Sequence, residues 1–174
     1  ISFTCYNIEN FKKKGVEKDK SLAEKSIALV GIMKILLLKR FESSIESLRV
    51  SLSNQKKFLE HFVYCLGQGK LLDTSSYRKY LCDDDSEEEM WEDLLKTLPE
   101  ADPKKYEEKE IKRKVENDIQ IITKLLEKIE PIGRDEDDKL IQFKKLLIEN
   151  KGKKILVFSY YKDTTNYVFQ ALKG

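Results

Sequence analysis

Residues 138–172, DKLIQFKKLLIENKGKKILVFSYYKDTTNYVFQAL, constrain this chain more than any other stretch, because they read as helix, turn, strand, loop and helix in succession. Leu140, Phe143, Leu146 and Leu147 recur at helical spacing and make one apolar face. Asn150-Lys151-Gly152 ends that helix, with Gly152 free to take the left-handed conformation of a helix stop. Ile155-Leu156-Val157-Phe158 is an unbroken apolar run with β-branched and aromatic members, as expected of a strand covered on both faces. Asp163 is a good N-cap for a second helix carrying Val168 and Leu172 on its inner side. A loop at the carboxyl end of such a strand is where open α/β sheets bind ligands.

The preceding chain is mostly helical in pattern. Residues 1–6 alternate apolar and polar, which predicts an edge or half-buried strand. Ser21 followed by Glu24 forms a capping box, opening a helix whose residues 27–41 are apolar nearly all round and are expected at the centre of the core. Phe41, Ile45, Leu48, Leu52, Leu59, Phe62 and Leu66 continue one stripe until Gly67 and Gly69 stop it. This predicts one long, bent helix or two joined at residues 40–44, the first being favoured. Residues 75–85 form a connector, and 83–89 an acidic run that reads as solvated. Met90, Trp91, Leu94 and Leu95 give a short amphipathic helix, punctuated by Pro99 and Pro103. Ile111, Val115, Ile119, Ile122, Leu126 and Ile129 mark a long amphipathic helix ended by Pro131 and Gly133, packing in a bundle rather than forming an arm.

Two stretches resemble a known family. Leu36-Leu37-Leu38-Lys39-Arg40-Phe41-Glu42-Ser43-Ser44 is similar to the L-L-K-R-x-E-S-S helix of prokaryotic Swi/Snf-type, superfamily-two helicase proteins. K-I-L-V-F-S-Y-Y-x-D-T-T resembles the opening of their second RecA-like lobe, with residues 159–164 as helicase motif IV. The order of the two motifs and the long helical and acidic stretch between them match as well. The resemblance implies an α/β fold that is predominantly helical: a helical bundle with a small, incomplete RecA-like sheet. It implies part of an ATP-dependent DNA helicase or translocase, with motif IV along a DNA backbone. Ser159, Tyr160, Lys162, Asp163 and Thr164, with Lys39 and Arg40, are the expected nucleic-acid-binding residues. ATP and magnesium belong to the parent enzyme and a missing lobe, so no cofactor is expected in this chain.

Physically, the hydroxyls of Ser159, Tyr160 and Thr164, Lys162, and the N–H groups opening the Asp163 helix suit phosphate. A capped loop with packed tyrosines is the plainer account. For Lys39, Arg40, Glu42, Ser43 and Ser44 a bonded junction holding the helix to the lobe is favoured over phosphate or interlobe contact. Three fragments imitate catalytic motifs. Gly67-Gln68-Gly69-Lys70 lacks the P-loop spacing that gathers backbone N–H groups around phosphates. Asp135-Glu136-Asp137-Asp138 follows no apolar strand and suits a helix N-terminus instead. Gly133-Arg134 lacks the second arginine of a helicase finger motif. Catalysis by this chain alone is not expected.

Charge and cysteine usage narrow the class. Net charge is +2, yet residues 139–174 hold 8 Lys+Arg against 2 acids, and residues 83–101 hold 1 against 9. Residues 1–82 are basic too, 15 against 8, while 102–138 hold 9 against 12. Basic ends carrying both motifs fit a phosphate-backbone partner, with ordinary solvated Lys-rich helices an equal account of the charge alone; the resemblance implies that the partner is duplex DNA. Cys5, Cys65 and Cys82 form neither a disulfide framework nor a zinc pattern, and His61 is the only histidine. A reducing, cytoplasmic setting is expected. No apolar run reaches the roughly 18–20 residues that span a bilayer, so no membrane partner is expected. The segments expected are 1–82, 83–101 and 102–174, together one structural unit of a larger helicase. A non-catalytic module docking partners through the 104–130 helix is the alternative. The 155–158 strand needs neighbours, so either residues 1–6 or a second copy in a homodimer should pair with it.

Overall fold

A computed structural model describes residues 1–72, 98–102 and 104–173, and these are predominantly helical. Among them are five α-helices: α1 Lys20–Ser43, α2 Ile45–Gly67, α3 Glu108–Ile129, α4 Asp138–Glu149 and α5 Lys162–Lys173. Cys82, the acidic run 83–89, the amphipathic segment 90–95 and Pro103 lie outside the described residues. The chain divides into two compact units. Unit 1 is Ile1–Met33 with Gln55–Ile122, and unit 2 is Lys34–Asn54 with Thr123–Gly174. Their boundaries fall inside α1, α2 and α3, not at the composition shifts that delimit segments 1–82, 83–101 and 102–174.

No sheet exists among the described residues, only isolated antiparallel bridges pairing Lys12 with Tyr106 and Lys70 with Glu100. The small RecA-like sheet is therefore not seen. Residues 155–158 form no strand and make no bridge with any of the described residues, and all four are exposed. The buried strand that the apolar run predicts is therefore not seen there. Sequence patterning cannot supply the neighbouring strands that a ladder requires.

In unit 1 the amino terminus is not a strand. Residues Thr4–Tyr6 and Ile8–Phe11 are 3₁₀ turns. The competing force is a buried carboxylate: Asp118, fully buried on α3, accepts from the Ser2 N–H (2.6 Å), the Ser2 hydroxyl (2.9 Å) and the Phe3 N–H (2.8 Å). Those donors would otherwise serve a ladder. Phe3 takes a left-handed backbone, φ 54°, which is costly for a bulky residue. Its buried ring starts an aromatic run through Tyr6 (6.0 Å) and Phe58 (5.7 Å) to Phe62 (6.4 Å). The α2 residues Phe58, Leu59, Phe62 and Cys65 and the α3 residues Ile111, Val115 and Ile122 complete the core of unit 1. Their three- and four-residue spacing is the stripe read from the sequence.

The α1 helix departs from expectation twice. Its N-cap is Asp19, whose Oδ1 accepts from the Leu22 N–H at 3.0 Å, two residues before Ser21. Its apolar residues are not central: Ile27, Leu38 and Phe41 are 60%, 63% and 57% exposed, and Ser26 is its one buried residue. A helix apolar on every side has no face that must turn inward, so its sequence cannot tell a buried position from an exposed one.

Unit 2 is held by fewer buried apolar side chains, Ile45, Leu52, Ile129, Leu140 and Ala171, and by a buried polar set. Asp137 caps α4 by accepting from the Leu140 N–H at 3.1 Å, so the acidic cluster does lie at a helix N-terminus. Gly152 has φ 90°, the left-handed stop expected after α4. Between α1 and α2 only Ser44 leaves the helix, so two helices meet there and not one bent one.

Candidate functional site

The residues singled out at 39–44 and at 159–164 come together in unit 2 across some 120 positions of sequence. The cause is local at each end. Ser44 breaks the helix and caps α2, its Oγ accepting from the Ser47 N–H at 3.0 Å. Lys139 donates to the carbonyl oxygens of Glu42 and of Ser43 (3.0 Å for Ser43), satisfying the acceptors that the end of α1 leaves open.

Arg40 is the hub. Its guanidinium donates to Asp163 Oδ2 at 2.5 Å and to Ser47 Oγ at 3.3 Å, and lies 4.3 Å from the centre of the Tyr161 ring. Asp163 is not the N-cap of α5 but sits in its first turn, where a carboxylate also favours the helix dipole. Beside this pair, Thr164 Oγ1 is 2.7 Å from Ser43 Oγ and 2.8 Å from Ser44 Oγ, a buried cluster of three hydroxyls. A carboxylate, a ring and one hydroxyl on α5 and its preceding loop thus face one cation and two hydroxyls at the α1–α2 break.

The expected nucleic-acid residues therefore fall into two groups. Arg40, Asp163 and Thr164 are occupied with one another or with their neighbours. Lys39, Ser159, Tyr160 and Lys162 are exposed. The Ser159 hydroxyl bonds within its own loop, to the Tyr161 carbonyl at 3.3 Å, and the Tyr160 ring stands edge-on to Tyr161 at 5.1 Å. Tyr161, Ser47 and Lys139 belong to the site but escape sequence reasoning. Only the tyrosine, within S-Y-Y-K-D-T-T, carried any signal, and nothing local marks an arginine as its partner.

Next to this junction, unit 2 has a cleft of about 570 Å³. Leu140, Phe143 and Leu147 of α4, Ile155 and Val157 of the connection between α4 and α5, and Val168 of α5 supply its apolar walls. Tyr167 and Asp137 close one side, the phenol donating to Asp137 Oδ2 at 3.0 Å. Burial first, then the adjacent carboxylate, push the Tyr167 pKa up to about 12.

The fragments that imitate catalytic motifs have structural roles. Gly69, at φ 70°, closes the turn after α2, where the Lys70 N–H reaches the Cys65 carbonyl at 2.9 Å. The Gly133 N–H donates to Glu136 Oε2 at 3.0 Å, and Arg134 reaches the Gln170 carbonyl at 3.3 Å. No group of three or more potential metal ligands occurs among the described residues, and no described helix is long and apolar enough to cross a membrane. Comparison with protein-family models, with curated proteins and with solved structures finds no match.

Proposed function

We propose that this chain is part of an ATP-dependent DNA helicase or translocase of the Swi/Snf type, contributing nucleic-acid backbone contacts and interlobe support. The observation that carries it is the junction: the two stretches that resemble the family bond to each other through Arg40–Asp163 and Ser43/Ser44–Thr164. The division of labour follows from exposure. Arg40, Asp163 and Thr164 hold the 159–164 loop, and Lys39, Ser159, Tyr160 and Lys162 present charge and hydroxyls to phosphate oxygens. ATP and magnesium would be bound by the remainder of the parent enzyme.

A longer protein that restores the first lobe tests this directly. DNA should stimulate its ATPase, and the pair Lys39→Ala and Lys162→Ala should weaken that stimulation. A folded protein with no DNA-stimulated ATPase overturns the proposal.

A second reading, a non-catalytic helical interaction module, draws on the exposed apolar side chains of α1. The 104–130 segment is a poorer docking face, since Ile111, Val115 and Ile122 of α3 are fully buried. Charged substitutions at Ile27 and Ile35 that abolish partner binding, in a chain without DNA affinity, would favour it.

A further inference from the structure

In unit 1 an antiparallel bridge brings together two lysine runs that are far apart in sequence, 12–14 and 104–105. Lys12 pairs with Tyr106, the Lys13 N–H donates to the Lys105 carbonyl at 2.8 Å, and the Glu107 N–H donates to the Phe11 carbonyl at 2.8 Å. That register sets Lys13 across from Lys105, with the exposed Lys14 and Lys104 next along the two chains. Like charges directly opposite weaken a ladder. The conflict recurs at the start of α3, where the exposed Lys109 and Arg113 stand at i and i+4, a spacing at which like charges also destabilise.

The acids nearby do not resolve it. Glu9 is bridged to Lys12, Glu110 to Lys114, Glu116 to Lys112, and Asp102 to Lys105 at 3.7 Å. Lys14, Lys104, Lys109 and Arg113 form no ion pair with any described residue. Residues 12–18 and 102–113 together hold 9 Lys+Arg against 5 acids, Glu17, Glu107 and Glu108 completing the acidic side, so cations remain in excess. Backbone hydrogen bonds that hold like charges together break the local consistency of a purely structural surface, and such departures mark sites that serve function.

We propose that this ridge is a nucleic-acid contact in its own right, holding a phosphate backbone through Lys13, Lys14, Lys104, Lys105, Lys109 and Arg113. Charge fixes the sign of the partner, and the lack of apolar groups fixes its class. Among residues 8–18 and 104–114 no large apolar side chain is exposed, and Phe11 and Ile111 are buried. A membrane-surface segment needs apolar groups to insert, and a protein interface needs an apolar centre. A phosphate backbone needs neither, since lysines meet it as point charges and release its counterions. Such contacts carry no base-sequence preference. The ridge belongs to unit 1, whereas Lys39 and Lys162 belong to unit 2, so it does not depend on the contacts proposed above.

Fluorescence anisotropy of the whole chain with a short duplex, at several salt concentrations, tests it. In a background carrying Lys39→Ala and Lys162→Ala the duplex should still bind. Lys14→Ala, Lys104→Ala and Arg113→Ala should each lower the log–log salt slope by about 1, alike on duplexes of unrelated sequence. Lys14→Glu together with Lys104→Glu should weaken binding by about tenfold or more at low salt. None of these changes should lower the urea midpoint, because each relieves repulsion, whereas a structural role for the cations would lower it. Unchanged slopes, no duplex binding in that background, a lowered midpoint, or preference for phosphatidylserine vesicles over duplex overturns the proposal. Carbodiimide coupling of Lys14 or Lys104 to the acids of 83–89 in the free chain makes the ridge an internal contact, and overturns it as well.

Discussion

Removing the Arg40 side chain deprives unit 2 of an ion pair, a ring contact and a hydrogen bond to Ser47. Both charged partners are about one-third exposed (31% and 32%), so the ion pair itself is partly screened. Arg40→Ala should therefore cost about 2 kcal/mol, most of it from the ring contact and from leaving Asp163 without a counter-charge. Arg40→Lys should recover only part, since an ammonium cannot serve Asp163, Ser47 and the Tyr161 face together. Urea denaturation of the three proteins checks this. Asp118→Asn is the matching test in unit 1. An amide keeps the shape but offers one acceptor where three donors converge, so it should cost roughly 2–3 kcal/mol. For a chain of this length that lowers Tm by about 5–10 °C. The same substitution should ease the Cys5 thiol, which burial and then the Asp118 carboxylate push well up from its ordinary value. Tyr167 gives a pH dependence of definite sign. Its phenol is favoured in the neutral form by the fold, with a pKa near 12 against 10.0 for an ordinary tyrosine. Its contribution to stability is thus complete below pH 10 and lost as pH rises from 10 to 12, because the unfolded chain ionises first. In Tyr167→Phe that part of the alkaline loss should vanish from urea midpoints measured across the window.

At the scale of the element, α1 makes a prediction that separates exposure from burial. Because Ile27, Ile32 and Ile35 are 60%, 53% and 56% exposed, replacing any one by Lys should change stability by no more than about 0.5 kcal/mol. A fully buried isoleucine treated the same way, such as Ile122 of α3, should cost several-fold more through an unpaired buried charge. Chemical denaturation of single lysine variants distinguishes the two classes. The contrast shows what patterning could and could not deliver. Helices α2 and α3 were legible because their apolar residues recur every three or four positions among polar ones, which dictates which side packs. The stops at Gly67–Gly69 and Gly152 were legible because each depends on a backbone requirement satisfied within a few residues, and the acidic cluster 135–138 marked a helix start without saying which residue caps it. Burial of α1 was not legible, since a uniformly apolar helix contains no record of which side is covered. Nor was the fate of residues 1–6, where alternation favoured a strand but a carboxylate more than a hundred positions away claimed the N–H groups. The meeting of Arg40 with Asp163 was likewise invisible to local patterning; the family resemblance grouped those stretches without saying which atoms would bond.

Across the whole molecule, charge is distributed so that net charge misleads. The chain carries +2, but its last 36 residues hold 8 Lys+Arg against 2 acids, and one of those acids, Asp163, is paired with Arg40. The segment from α4 to α5 therefore presents a cationic field to any ligand, and the exposed Lys39 and Lys162 would be its contact points to phosphate under the function proposed. The thermodynamic signature of such contacts is counterion release. Affinity for duplex DNA should fall linearly on a log–log plot against salt, and each lysine removed from a phosphate contact should reduce the slope by about 1. Lys39→Ala and Lys162→Ala should each do so, and the double variant should lose about twice as much slope as either. Arg40→Ala should behave differently, because its guanidinium is already engaged by Asp163 and the Tyr161 ring. It should weaken binding through loss of loop order with little change in slope. Fluorescence anisotropy with a short duplex at several salt concentrations measures all four proteins. A slope unchanged by Lys39→Ala and Lys162→Ala removes them from the contact surface, and an Arg40→Ala slope that falls by about 1 makes Arg40 a phosphate ligand after all.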